Sequence, residues 1–255
     1  MLFDTHCHLT HAPLMQQLPR ILAEAAAAEV THFLVPGTTP NDWDSILKLA
    51  QQYDAIYAAL GLHPWFVCEH HLAQALTTLN QRLIAHPQLW VGEIGLDFMR
   101  ATSSEAQQQQ IDAFEAQLQL AQAHQRCVVI HNVHASSACL SSIKRCHFTQ
   151  GGFAHAFSGS LEEAQEWVKC GFKIGMGSLL LKPNARKIRR IATELPLSSM
   201  VLETDAPYMS PEPNHPNHPR NTQSVAKVLA ELKQTNWHTI AQATSTNAFN
   251  LLQRT

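Results

Sequence analysis

At 255 residues, with 45% hydrophobic and 15% charged residues, the chain is long enough to bury a full core and too apolar to be disordered. A formal net charge of -2 argues against a broad basic footprint that holds duplex DNA by phosphate neutralisation alone, which leaves only local, metal-assisted contacts to nucleic acid. The 6 cysteines, Cys7, Cys68, Cys127, Cys139, Cys146 and Cys170, form no C-x-x-C pair, so neither a zinc ribbon nor a thioredoxin-like motif is supported.

Scattered cysteines of this kind read as reduced thiols, and the expected compartment is the cytoplasm. Asp4 comes too early for a signal peptide, and no apolar run reaches membrane-spanning length. No composition shift marks a boundary, so one domain over residues 1–255 is expected, with no obligate protein partner.

Met1-Leu2-Phe3 opens the chain as an apolar strand and leads into Asp4-Thr5-His6-Cys7-His8. If the strand continues, His6 and His8 project together and Asp4 lies behind them on the same face. Leu14 to Glu29 has helical spacing, with Leu18, Ile21, Leu22 and Ala25 on one face. His32 to Val35 is a short buried strand stopped by Pro36-Gly37. Asn41 or Asp42 caps a helix running to about Tyr53. Ile56 to Leu60 is the next strand, ending at Gly61-Leu62-His63-Pro64, and a helix follows from about His70 to Ala85. Leu89-Trp90-Val91 leads into Gly92-Glu93-Ile94-Gly95-Leu96-Asp97. A Gln-rich helix spans about Ser104 to His124.

Cys127 to Ile130 is a continuous apolar strand that stops at His131, followed by a helix over Ser136 to Cys146. Gly152 to Ala154 reaches His155, and Leu161 to Lys169 is helical behind a Ser160 cap. Phe172 to Gly175 is the seventh strand, with a helix at Lys187 to Leu195. Met200 to Glu203 is the eighth, followed by Thr204-Asp205-Ala206-Pro207. A Pro/Asn/His-rich loop covers Pro211 to Pro219, and helices over Gln223 to Lys233 and His238 to Leu252 close the chain.

Eight short apolar strands alternating with helices point to a parallel sheet covered by helices. Their number and the chain length are those of a closed (β/α)8 TIM-type barrel. A doubly wound open sheet would carry a Gly-x-Gly-x-x-Gly turn after its first strand, and none is present.

His6, His8, His63, Glu93, His131, His155 and Asp205 all lie at or just past strand ends. In such a barrel those ends converge on one mouth. Imidazole and carboxylate together favour zinc, manganese, iron or nickel over calcium. Even four of these histidines with the Glu and the Asp exceed a single four-coordinate site and suit two divalent ions roughly 3.5–4 Å apart. Such a pair activates water against a phosphoester, amide or lactone.

The five segments 4–8, 61–64, 92–97, 155–159 and 203–207, in this order, resemble the motifs of the TatD family of metal-dependent deoxyribonucleases, within the amidohydrolase-like metal hydrolases. The likeness covers essentially the whole chain and looks closest to the YjjV branch. It implies that His6, His8 and Asp205 hold one ion, that Glu93 bridges, and that His131 and His155 hold the second. It implies His63 at the scissile phosphate and Asp205 as the group that orients or deprotonates water. The implied cofactors are two divalent ions, zinc, magnesium or manganese. The implied substrate is DNA, cut from an end, with a small phosphoester, amide or lactone as the alternative.

Two positions depart from the family pattern. A Ser-Arg pair usually follows the His131 position, where Asn132 and Val133 stand here. Arg220-Asn221 lacks the following Pro, leaving Arg220 as a candidate substrate contact. Lys182, Arg186, Lys187, Arg189 and Arg190 read first as a solvated helix face and second as a phosphate-steering patch. His134, His70, His71, His215 and His218 read as loop residues. Asp97 reads as a supporting or structural carboxylate.

Overall fold

In a computed structural model, which describes residues 1–253, the chain forms one eight-stranded, all-parallel sheet in sequence order. The strands are β1 (Leu2–Asp4), β2 (Val30–Pro36), β3 (Ile56–Leu60), β4 (Trp90–Asp97), β5 (Val128–Val133), β6 (Gly152–Ala154), β7 (Phe172–Met176) and β8 (Met200–Leu202). Thr5 N donates to Leu202 O at 2.9 Å, and Asp205 N donates to His6 O at 2.9 Å. A parallel bridge between Cys7 and Ala206 extends that seam. These contacts bring the first and last strands together, and the architecture is the (β/α)8 barrel.

The helices are α1 (Ala12–Met15), α2 (Leu18–Ala27), α3 (Trp43–Gln52), α4 (Leu72–Ala85), α5 (Ser104–Ala123), α6 (Ser136–Arg145), α7 (Leu161–Lys169), α8 (Arg186–Glu194), α9 (Asn221–Leu232) and α10 (Trp237–Leu252). Two expected helices differ. The first is broken at Gln16–Gln17, because Pro19 lacks an N–H and its ring would meet the carbonyl of Met15 in a continuous helix. The helix expected from about His70 begins at Leu72, and Pro64–Glu69 ahead of it forms a separate 3-10 turn with His63 at its N-cap.

The sheet alternates as a two-residue repeat requires. Outward residues, such as Val35, Leu60, Val91, Val128, Ile130 and Leu202, pack under the helices. Inward residues form a second apolar cluster of Phe3, Leu34, Ala59, Trp90, Val129, Phe153 and Val201, plugged by Ala248 and Leu251 of α10. One inward step beyond that layer the residues turn polar. Val129 is followed by His131, Phe153 by His155 and Val201 by Glu203, all buried. On β4 the pairing register shifts between Val91 and Ile94.

Candidate metal centre

The strand ends deliver their polar side chains to a single cavity of about 410 Å³, whose wall includes His8, His63, Glu93, His131, His155 and Asp205. β1 ends at Asp4, so His6 and His8 lie in an irregular segment beyond it, held by the seam to Ala206. The expected regular strand through His8 is therefore not formed. Asp4 also works differently from the expectation. Its carboxylate accepts from His6 N at 3.3 Å, Thr204 N at 3.0 Å and Thr204 Oγ1 at 2.6 Å, so it anchors backbone rather than orienting an imidazole. Asp205 adopts φ 61°, a left-handed conformation uncommon outside glycine.

His6 Nε2 lies 3.2 Å from His8 Nε2, 3.3 Å from Glu93 Oε2 and 3.6 Å from Asp205 Oδ1. His8 Nε2 lies 3.8 Å from the same Glu93 oxygen and 3.4 Å from the same Asp205 oxygen. Tetrahedral bonds of about 2.1 Å give ligand–ligand edges of about 3.4 Å, so the His6, His8 and Glu93 atoms have the spacing of a metal ligand set, with the Asp205 oxygen at 3.4–3.6 Å from both imidazoles. The other Glu93 oxygen, Oε1, faces a second group: His131 Nδ1 at 2.9 Å, His63 Nε2 at 3.5 Å and His155 Nε2 at 3.7 Å. Three groups of potential ligands emerge from this geometry, His6/His8/Glu93, His6/His155/Asp205 and His63/Glu93/His131. His63 thus joins the cluster that sequence reading assigned to His131 and His155.

Carboxylates back two of the imidazoles. Asp97 Oδ2 lies 3.3 Å from His131 Nε2, in the supporting place expected of it. Glu203 Oε1 lies 3.4 Å from His155 Nδ1 and accepts from Ala156 N at 2.6 Å. Glu203 had no functional reading in the sequence, although its place two residues before Asp205 was the available signal. His6 Nδ1 and His8 Nδ1 are buried without hydrogen-bond partners.

Burial works against the Glu93 carboxylate, yet His6, His63, His155 and the His131 hydrogen bond together hold it well below the usual carboxyl range. Burial likewise opposes ionised Asp205, and His155 with His8 and His6 reverses the effect. Burial pushes His63 down to about 4 despite Glu93, so that ring is neutral near pH 7. In the absence of a cation His155 moves the other way, to about 10, because Glu203, Asp205 and Glu93 outweigh its burial, so an ion bound there would have to displace its proton. Five imidazoles and two carboxylates converge out of water, and their nitrogen and oxygen donors fit a shared divalent cation.

The remaining wall is largely aromatic or aliphatic, with Trp65, Phe66, Val133, Leu179, Tyr208 and Met209. His11 Nδ1 lies 2.9 Å from Tyr208 Oη across the rim, and its ring stacks on His8 with centroids 4.7 Å apart. Sequence reading passed over Trp65, His11 and Tyr208. The candidate Arg220 is outside this wall and pairs with Glu24 at 3.2 Å. His218 meets the same Glu24 oxygen at 3.2 Å. In the basic run, Arg190 is tied to Glu194 and Glu162, and Arg189 donates to Leu180 O.

The barrel and its histidine–carboxylate mouth define a metal-dependent hydrolase. A family profile described as TatD related DNase matches residues 3–253. The chain belongs to the TatD family. It is 37% identical over 255 residues to an Escherichia coli K12 protein named uncharacterized metal-dependent hydrolase YjjV, covering 97% of this chain and 96% of that one. A mouse protein named putative deoxyribonuclease TATDN3 is 29% identical over 99% of this chain and 88% of its own. The crystal structure of the Escherichia coli TatD homologue YjjV superposes with a TM-score of 0.92 at 36% identity, covering 98% of this chain and 97% of that one. No helix among the described residues is long and apolar enough to cross a membrane.

Proposed function

We propose that the protein hydrolyses phosphodiester bonds of DNA from a strand end with two divalent ions. His6, His8 and Asp205 would hold one ion, Glu93 would serve both, and His131 and His155 would hold the other. The observation that carries this reading is the Glu93 carboxylate, whose two oxygens face two separate imidazole groups at 2.9–3.8 Å. The imidazole-rich set favours zinc or manganese, with magnesium as a third choice. Divalent ions supply Lewis acidity, which activates water near neutral pH and offsets charge on the phosphoryl oxygens.

The protein supplies the rest. Asp205, ionised at neutral pH, orients the attacking water and accepts its proton. Trp65 N donates to His63 Nδ1 at 3.2 Å, so the neutral His63 ring carries its proton on Nε2. That N–H points toward Glu93 and is available to a phosphoryl oxygen. A cavity of about 410 Å³ suits one unstacked nucleotide better than a duplex, which supports cutting at an end.

A second reading, hydrolysis of a small phosphoester, amide or lactone, is favoured by the absence of Lys and Arg from the cavity wall among the described residues. The separating experiment strips the protein with chelator and restores magnesium, manganese or zinc singly. Short single-stranded DNA and a panel of small esters and amides are then assayed, with Asp205→Asn alongside. Metal-restored DNA cleavage lost in the variant supports the nuclease. Metal-restored turnover of small substrates without DNA cleavage moves the assignment to the second reading.

A further inference from the structure

Two of the imidazoles facing Glu93 share one neighbour. The Trp65 backbone N–H donates to His63 Nδ1 at 3.2 Å, and its indole N–H donates to Asp97 Oδ2 at 2.6 Å. The same Asp97 oxygen lies 3.3 Å from His131 Nε2. Trp65 therefore braces both His63 and His131. It is not a buried strut, however, because it lines the cavity and is 41% exposed.

Arg100, in the turn after β4, places its guanidinium carbon 3.7 Å from the centre of the Trp65 ring. Its backbone N–H donates to Asp97 Oδ1 at 3.1 Å, which fixes the turn to the same carboxylate. Arg82, Arg145, Arg190 and Arg220 each pair with a carboxylate. The Arg100 side chain has no such partner among the described residues. Stacking holds the guanidinium in place while its charge stays available, an arrangement that favours an incoming anion.

Resting on the phosphodiesterase reading, we infer that Trp65 and Arg100 form a substrate platform beside the metal centre. The indole takes the unpaired base next to the scissile diester, and the guanidinium takes the following phosphate. Aromatic stacking tolerates any base, and a planar guanidinium matches a phosphate with two parallel hydrogen bonds. The platform reconciles a polyanionic substrate with a cavity wall that lacks Lys and Arg. A single small diester fills the cavity, whereas only a longer chain extends to Arg100. Trp65 adds a positioning role, because the residue that senses the base also holds Asp97 against His131.

The test measures binding of a fluorescent single-stranded oligonucleotide to chelator-stripped protein by anisotropy. It also compares kcat/KM for the oligonucleotide with kcat/KM for a small aryl phosphodiester in the metal-restored protein. Arg100→Gln is expected to weaken oligonucleotide binding roughly fivefold and to reduce the slope of log affinity against log salt by about 0.7. It also lowers the oligonucleotide-to-small-diester ratio of kcat/KM. Trp65→Leu weakens binding roughly tenfold. Trp65→Phe keeps a ring for stacking but loses the indole N–H, so it retains most of the binding while kcat falls on both substrates. Unchanged affinity and salt slope in Arg100→Gln, or an equal loss of kcat/KM on both substrates, overturns the platform. Wild-type protein that turns over the small diester but binds no oligonucleotide also overturns it and leaves the hydrolase standing. Oligonucleotide binding that depends on Arg100 in protein inert toward every phosphodiester overturns the nuclease reading and retains the platform.

Discussion

The barrel interior holds two layers that share strands but obey opposite rules. The lower layer, with Leu34, Trp90, Val129, Phe153 and Val201, is apolar, and its ring contacts include Trp90 on Phe153 with centroids 4.9 Å apart. The upper layer, one inward step along, carries His131, His155 and Glu203, with Glu93, His6 and Asp205 beside them. Burial stabilises the first layer directly, at about 25 cal/mol per Å² of apolar surface. The same burial penalises every charge in the second, and only mutual pairing or a bound cation offsets that cost. The lower layer is accordingly expected to set stability, and the upper layer chemistry.

The largest test of that division is loss of activity without loss of fold. Glu93→Ala and Asp205→Asn are each expected to lower metal-dependent hydrolysis by at least about a thousandfold. Their circular dichroism should remain that of the wild type. Leu34→Ala in the lower layer should behave inversely. Denaturant titration is expected to show a loss of about 2–5 kcal/mol, with kcat nearly unchanged below the melting transition. A Leu34 variant that lost activity while fully folded would break the comparison.

The supporting carboxylates sharpen it at intermediate size. Asp97→Asn and Glu203→Gln should each weaken metal binding roughly 10–100-fold by calorimetry, because each backs an imidazole expected to face an ion. Asp97 also carries a pH signature. Its burial is opposed by hydrogen bonds from His131, Trp65 and the Arg100 backbone, which hold its carboxyl below the ordinary value. A folded-state value below the unfolded one gives stability that is present above about pH 4 and lost as pH falls. Asp97→Asn should remove that part of the acid slope, while Leu34→Ala should shift the whole curve.

The two layers were unequally legible in the sequence. Continuous apolar runs ending in His131, His155 and Gly92-Glu93 announced both the barrel and its mouth, because a two-residue repeat fixes which side chains share a face. Local chemistry explains the misreadings within single elements. Pro19 broke the first helix, and the strand through His8 stopped at Asp4. Other roles depend on partners far away in the chain. Glu203 meets His155 across 48 positions, Trp65 meets Asp97 across 32, and Tyr208 meets His11 across 197. Such partners have no spacing to detect, and only the closed barrel brings them together.

The smallest expected effect joins the two layers at one glycine. A Cβ on Gly175 would lie 2.3 Å from Glu203 Oε2 and 2.6 Å from its carboxyl carbon. Glu203 cannot yield freely, since its other oxygen accepts from Ala156 N at 2.6 Å. Gly175→Ala is therefore expected to cost about 1–2 kcal/mol by denaturant titration and to weaken metal binding by displacing Glu203 from His155. Glu203→Ala in the same chain opens the space that the methyl group needs. The double variant should recover most of the stability lost to Gly175→Ala, yet bind metal no better than Glu203→Ala alone. Recovery of stability without recovery of binding locates the clash at the carboxylate. Additive losses of stability would instead assign Gly175 to the packing of β7 and detach it from the metal centre.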